Sequence, residues 1–122
     1  MHRLLFIATA FASLNGSSAL ADCRIMAFRF HFTQNESVST TGLSTGGSRC
    51  RMPIQAGSSS EFTSVAVVTR PSHGSLTQLR AYRFNYQPAP GFRGVDQYAI
   101  RVCGKGASGS GCSTINYAIT VQ

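Results

Sequence analysis

Few side chains in this sequence have the chemistry of a catalyst. The 122 residues include three histidines and four carboxylates. Ser72, His73 and Asp96 are the residue types of a hydrolase triad, but adjacent residues direct their side chains apart in an extended or turn backbone, and no nucleophile-elbow sequence surrounds Ser72. The carboxylates are too few to favour the paired acids of a glycosidase. The sequence therefore predicts a protein that is not an enzyme.

Cysteine is the other residue type with informative chemistry. No cysteine lies within four residues of another cysteine or of a histidine, which disfavours a zinc site, and no metal or cofactor is expected. An even number of cysteines in a small exported chain predicts two disulfides. The favoured pairing closes the short glycine-rich segment between Cys103 and Cys112 and leaves Cys23 for Cys50, while the two nested pairings stay open.

The amino-terminal segment has the composition of a signal peptide. His2 and Arg3 precede an apolar run from Leu4 to Phe11, and Ala19-Leu20-Ala21 is a small-residue cleavage pattern. An uncleaved membrane anchor is the alternative, but the run is shorter than the roughly 20 residues that span a bilayer. We expect residues 1–21 to be cleaved, leaving residues 22–122 as one secreted or periplasmic domain without a membrane span.

The predicted mature domain is basic. From Asp22 onward, nine arginines and one lysine against four acids give a net charge of +6. Such a surface attracts anionic envelope polymers, whereas nucleic acid is not expected outside the cytoplasm. The candidate anion-binding residues, grouped on the outer face of neighbouring predicted strands, are Arg80, Arg83, Arg93 and Arg101. The simpler interpretation, which the scattered arginines favour, is that positive charge only keeps the domain soluble.

Alternation of apolar and polar residues predicts extended structure throughout the mature chain, with no helical periodicity. We expect Val38, its serine and threonine neighbours, and Gly42 to Ser48 to form a polar loop that contains at most a short edge strand. The other predicted strands are Ile25 to Phe32, Arg49 to Ile54, Phe62 to Thr69, Ser75 to Leu79, Tyr82 to Gln87, Tyr98 to Val102, and Ile115 to Val121. This pattern predicts an all-β fold of about seven antiparallel strands, either a sandwich or a small closed barrel.

Two stretches carry a more specific pattern, Pro71-Ser72-His73-Gly74-Ser75-Leu76 and the segment Pro88 to Tyr98, which reads Pro-Ala-Pro-Gly-Phe-Arg-Gly-Val-Asp-Gln-Tyr. With the aromatic strand between them, they resemble bacterial immunoglobulin-like (cadherin-like) modules over about half of the mature domain. The resemblance implies an immunoglobulin-like Greek-key β-sandwich. Such modules serve in adhesion, as spacers, or in binding carbohydrate and protein, and are seldom catalytic.

The residue roles that the resemblance implies are structural. Asp96 is expected to accept hydrogen bonds from turn N–H groups, and Tyr98 to bury its ring and satisfy its hydroxyl on nearby backbone. The expected corner comprises Pro88, Pro90, Gly91, Phe92, Gly94, Asp96 and Tyr98. Tandem members of the family bind calcium between modules, but the four scattered acids of this chain do not favour a calcium site.

The functional expectation is a monomeric, exported, non-enzymatic binding or interaction module, with adhesion as one role. Loops at one end of the sandwich, Gly42 to Ser48 and Gly104 to Gly111, are expected to present its binding surface to an unidentified protein or envelope polysaccharide. The alternative is a small basic inhibitor or binder of anionic envelope polymers.

Overall fold

The computed structural model describes residues 21–54, 60–80 and 82–122, so the predicted signal peptide lies outside the described residues except for Ala21. The described chain is all-β, as predicted, with eight strands rather than about seven and one 3₁₀ turn at Phe32–Gln34. The strands are β1 (Asp22–Ile25), β2 (Ser37–Thr45), β3 (Cys50–Pro53), β4 (Glu61–Thr69), β5 (Gly74–Arg80), β6 (Arg83–Pro88), β7 (Gly94–Gly106) and β8 (Gly109–Val121). No helix in the described ranges is long and apolar enough to cross a membrane.

Two sheets form the fold. The first has the strand order β1-β2-β8-β7-β4, in which β2 and β8 run parallel and the other neighbours run antiparallel. The second has the order β3-β6-β5 and is antiparallel throughout. Apolar side chains of both sheets meet in one core, which includes Phe84, Tyr86, Tyr98, Ile100, Val102, Ile115, Tyr117 and Ile119.

The first strand differs from its prediction. Strand β1 ends at Ile25, and residues 26–31 lie outside any strand. Phe28 and Phe30 still pack against the core. The alternation of apolar and polar residues therefore predicted which side chains face inward, but not whether the backbone pairs with a neighbouring strand. The Met26 N–H still donates to the Thr41 carbonyl oxygen at 2.9 Å, whereas the Met26 carbonyl oxygen accepts from the Thr40 hydroxyl at 2.8 Å.

Strand β2 is the second difference. The segment expected to be a polar loop with a short edge strand is instead a nine-residue strand between β1 and β8. Its inward positions carry small or polar residues, Thr40, Gly42 and Ser44, so no apolar alternation was visible. Ser44 remains satisfied inside because its hydroxyl donates to the Ser48 carbonyl oxygen at 2.7 Å. A Cβ at Gly42 would lie 2.8 Å from the tip of the Ile119 side chain and 3.0 Å from the Arg24 carbonyl oxygen, so a side chain there would have to displace its neighbours.

The glycine-rich segment from Gly104 to Gly111 is also not a loop. Strands β7 and β8 continue through it as a hairpin, and only Ala107 and Ser108 form the turn. The carboxyl end of β2 lies beside Val121, at the opposite end of this hairpin. The two expected binding loops therefore lie at opposite ends of the sandwich and cannot form one surface.

Both disulfides are present with the favoured pairing. Cys23 of β1 bonds to Cys50 of β3, so this inter-sheet bridge joins the two sheets. Cys103 bonds to Cys112 within the β7–β8 hairpin, where the two residues are directly paired. We call this second bond the hairpin bridge. Two disulfides are typical of chains that fold in an oxidising compartment outside the cytoplasm.

Candidate functional site

Asp96 is the most deeply buried charged residue among those described, with 2 % of its surface exposed. Its Oδ1 accepts hydrogen bonds from the backbone N–H groups of Ser72 and Gln97, and its Oδ2 accepts from the N–H of His73, each at 3.1 Å. The Tyr86 hydroxyl donates to Oδ2 at 2.7 Å. The carboxylate therefore ties the turn between β4 and β5 to the start of β7.

This geometry does not resemble a catalytic triad. Asp96 contacts the backbone of His73, while the imidazole stacks on the Phe92 ring with centroids 4.2 Å apart and an interplanar angle of 3°. Asp96 thus does not orient the ring as a general base would require. His31, the other described histidine, is exposed and lies 3.7 Å from a carboxylate oxygen of Glu36. No three potential ligands among His, Cys, Asp and Glu cluster as a metal site in the described part of the chain.

Three buried tyrosines lie side by side in the core, and we call them the tyrosine stack: Tyr86, Tyr98 and Tyr117. The ring centroids of Tyr86 and Tyr98 are 5.0 Å apart, and those of Tyr98 and Tyr117 are 4.9 Å apart. Burial is the main cause that raises the pKa of each phenol above its ordinary value of 10.0. The neutral phenols are therefore strongly favoured in the folded protein.

The Tyr98 hydroxyl does not bond to nearby backbone as expected. It donates to the Met52 sulfur of strand β3, across the core, because the inward direction of β7 carries it toward the other sheet. Tyr86 makes the tie to the corner instead, through Asp96. This role was not apparent from sequence because Tyr86 carried only the signature of an inward strand residue.

The remaining corner residues occupy the turn between β6 and β7. Pro88 is buried at the end of β6, whereas Pro90 is exposed in the turn. Gly91 and Gly94 have φ angles of +79° and +137°, which side chains rarely adopt. Phe92 is partly buried and packs against the core.

The four arginines selected from sequence do not form one group. Arg80 and Arg83 are direct partners across the β5–β6 hairpin. Arg101 belongs to β7, in the other sheet, and Arg93 lies in the turn before β7. Outward parity was correctly assigned to Arg83 and Arg101, but it did not reveal that their strands belong to different sheets.

The structure instead places two further arginines beside the first pair. Arg49, which precedes β3, and Arg51, which lies in it, flank the buried Cys50, so both are directed to the outer side of the three-stranded sheet. Strand β6 lies between β3 and β5, with Arg51 directly opposite Asn85. We call the resulting surface the arginine face; it consists of Arg49, Arg51, Arg80 and Arg83. The signal in the sequence was the Arg-Cys-Arg alternation, since a disulfide cysteine points inward.

The arginine face contains a groove of about 500 Å³. Its lining includes Arg49, Arg51 and Arg83, together with the exposed Leu79 and the amide of Asn85. A cleft of this volume lies within the range that small-molecule and oligomer segments occupy in proteins. We call it the arginine groove.

Every carboxylate of the described chain has a partner elsewhere. Asp22 pairs with Arg24 at 2.8 Å, Glu36 lies beside His31, and Glu61 lies 3.8 Å from Lys105. Asp96 is buried at the corner. Because these are the four acids of the sequence, the arginine face has no intramolecular counter-charge among the described residues. This arrangement is suited to binding an external anion.

No family model and no curated protein matches this chain.

Proposed function

We propose that this chain is an exported, non-enzymatic, immunoglobulin-like module that binds an anionic polymer through its arginine face. Strand order supports the fold assignment. Immunoglobulin-type sandwiches place their second, fifth and fourth strands in one sheet and their third, sixth and seventh strands in the other. The orders β3-β6-β5 and β4-β7-β8 correspond to these two sets if β1 and β2 together take the place of the first strand.

Export is supported by the amino-terminal sequence pattern and by the two disulfides. In that compartment the available polyanions are envelope or extracellular polysaccharides and other polymers that carry phosphate, sulfate or carboxylate. The absence of catalysis is part of the proposal, and it is motivated by the backbone contacts that occupy Asp96.

The observation that carries the proposal is the grouping of unpaired arginines on one face. If positive charge served only solubility, like charges would be spread apart, because their mutual repulsion destabilises the folded state. Here Arg80 faces Arg83, and Arg49 and Arg51 share a groove with Arg83. Guanidinium groups form bidentate hydrogen bonds with phosphate, sulfate and carboxylate, so a repeating anion can engage several at once.

Heparin is a suitable probe because its charge repeats along a linear chain. We expect the mature domain to bind immobilised heparin, with an affinity that falls as salt rises. By analogy with nucleic acids, removing one contacting arginine lowers the slope of log affinity against log salt by about one unit. The double variant Arg51→Gln/Arg83→Gln should therefore lose about two units of slope.

The matched control is Arg70→Gln/Arg101→Gln, which removes the same amount of positive charge at positions outside the arginine face. Arg70 follows the end of β4, and Arg101 lies in β7. Retention by this control should resemble that of the unmodified domain, apart from a small effect of net charge. Equal losses in both double variants would show that only net charge matters, and the proposal would be wrong.

A further inference from the structure

A second groove lies on the other side of strand β3. It has a volume of about 470 Å³, and every residue that lines it except Arg51 is apolar or aromatic. Ile25, Met26 and Phe28 form one wall, Ile54 lies on the opposite wall, and Tyr117 is buried between them. Met26 is 67 % exposed, the largest exposed fraction among the exposed large apolar side chains of the described residues. We call this cleft the apolar groove.

The strand order explains why this cleft is open. Strand β3 is at the edge of its sheet, and β1 is at the edge of the other. In the proposed immunoglobulin-like scheme, a first strand beside β3 would cover this opening, but β1 and β2 both belong to the five-stranded sheet. The inter-sheet bridge between Cys23 and Cys50 fixes the separation of the two edges, so the groove is held in shape.

The apolar groove and the arginine groove share strand β3 as a wall. Arg51, Met52 and Pro53 contribute to the lining of both. Arg51 is the only charged residue in the described lining of the apolar groove, and it also lines the arginine groove together with Arg49 and Arg83. A ligand that matches this surface has an apolar part and an anionic part joined at β3.

An extended peptide added to the edge of β3 is the other occupant to consider. The N–H of Ile54 donates to the Tyr82 carbonyl oxygen, so alternate residues of this strand direct their backbone toward β6. By that alternation Arg51 and Pro53 direct theirs toward the apolar groove, and proline has no N–H. The edge thus offers one backbone donor, which is too few for strand addition.

We propose that these two grooves together bind an amphipathic anion, a lipid-like molecule whose alkyl chain lies in the apolar groove and whose phosphate or carboxylate contacts Arg51 and its neighbours. This inference rests on the proposed function, since the anionic part uses the arginine face. It narrows the ligand to acylated or lipid-linked anions. Burial of the alkyl chain in the apolar groove makes the affinity depend on chain length, and contact with the arginines makes binding require an anionic group.

A series of alkyl phosphates tests this inference directly. Hexyl, octyl and decyl phosphate, each used below its micelle concentration, are titrated into the full mature domain by calorimetry. Affinity should rise about two- to fourfold for each added methylene group, depending on how fully the chain is buried. Inorganic phosphate should bind far more weakly than decyl phosphate. Nuclear Overhauser contacts from the alkyl chain should appear at Met26 and Phe28, and not at the exposed Leu79 or Val68.

Two groove variants separate the alkyl contribution from the charge. Ala27 lines the apolar groove and is exposed, so Ala27→Trp should fill it and remove the chain-length dependence while heparin retention is unchanged. Met26→Gln is a milder change that keeps the fold and should reduce the gain per methylene. Arg51→Gln should weaken both alkyl phosphate and heparin.

Each outcome identifies which proposal fails. Equal affinity for all alkyl phosphates, with heparin retention intact, overturns the amphipathic ligand and leaves the arginine face standing. If the unmodified domain does not bind heparin, the proposed function itself is overturned. Binding of an extended acidic peptide that protects the Arg51 amide from hydrogen exchange, without binding of decyl phosphate, assigns the groove to strand addition and contradicts the inference.

Discussion

Replacing Asp96 by alanine should be among the most destabilising single changes in this domain. The substitution removes the acceptor of the Ser72 and His73 N–H groups and of the buried Tyr86 hydroxyl. A hydrogen bond to a charged group contributes about 1.5–3 kcal/mol, and a buried group left unsatisfied costs about 1–3 kcal/mol. Ser72 and His73 are exposed, so water replaces part of the hydrogen bonding that their N–H groups lose. Because one carboxylate serves these three donors and the N–H of Gln97, the contributions do not add.

We therefore expect Asp96→Ala to lower the free energy of unfolding by about 3–4 kcal/mol, which corresponds to a fall in Tm of roughly 15–25 °C for a domain of this size. Total stability of about 5–15 kcal/mol is usual, so the variant should still fold at low temperature. Urea unfolding followed by far-ultraviolet circular dichroism measures the change.

Two further variants test the assignment of that loss. Tyr86→Phe removes one donor and keeps the carboxylate, so it should cost about 1–1.5 kcal/mol. In Asp96→Asn the amide cannot accept from all the donors, and its cost should be intermediate. A loss below about 1 kcal/mol for Asp96→Ala would refute the reasoning, because it is smaller than the roughly 1.5–3 kcal/mol expected for one hydrogen bond to a charged group. Equal losses for Asp96→Ala and Tyr86→Phe would show that the turn N–H groups contribute nothing.

Three other properties of the fold are open to measurement. The tyrosine stack should make the domain less stable in alkali, because the pKa of each phenol is raised in the folded state. The stability that these neutral phenols contribute is complete below pH 10 and falls above it by up to about 1.4 kcal/mol per pH unit for each tyrosine. Urea midpoints measured between about pH 9 and about pH 11 would show this fall. A slope unchanged by replacing one stack tyrosine with phenylalanine would contradict this. The two disulfides close segments with sequence separations of 27 and 9 residues. Replacing both cysteines of a bridge by serine should therefore lower the free energy of unfolding by about 3.5 kcal/mol for the inter-sheet bridge and about 2.7 kcal/mol for the hairpin bridge. The reverse order in denaturant titrations would contradict the chain-entropy argument. Gly74→Ala should lower Tm more than Gly91→Ala, because a Cβ at Gly74 lies 2.6 Å from the Gln87 carbonyl oxygen, whereas one at Gly91 meets no atom within 4 Å and costs only the strain of a φ of +79°, about 1–2 kcal/mol. A smaller loss for Gly74→Ala than for Gly91→Ala would contradict the steric explanation.

Periodicity in the sequence predicted the parts of the fold where inward positions are apolar. Ile115, Tyr117 and Ile119 alternate with polar residues, and all three are buried in β8. The short spacing of Cys103 and Cys112 favoured the pairing that the hairpin shows. In both cases local sequence contained the physical cause, which was burial of a regular apolar row or closure of a short segment.

Periodicity could not predict strands whose inward residues are polar. Thr40 and Ser44 face inward in β2 because their hydroxyls donate to the carbonyl oxygens of Met26 and Ser48. Those acceptors are set by the tertiary structure, so the sequence of β2 alone resembles a loop. The hydrogen bond of the Tyr98 hydroxyl was not predicted for the same reason, because its acceptor, the Met52 sulfur, belongs to the other sheet.

The candidate site depends on the order of strands, which local pattern does not contain. Arg49 and Arg51 are distant in sequence from Arg80 and Arg83, and they meet only because β6 lies between β3 and β5. Arg93 and Arg101 are nearer in sequence to Arg83 but lie elsewhere in the fold. Sequence therefore predicted a basic domain correctly, while the structure was needed to identify which arginines form a surface.

The most direct test of the arginine face is a nuclear magnetic resonance titration that observes the Nε–Hε groups of the arginine side chains as a heparin-derived hexasaccharide is added. Binding at the arginine face predicts saturable shifts for Arg49, Arg51, Arg80 and Arg83, with the signals of Arg70 and Arg101 nearly unmoved. Uniform small shifts of every arginine, or shifts centred on Arg93 and Arg101, would contradict it.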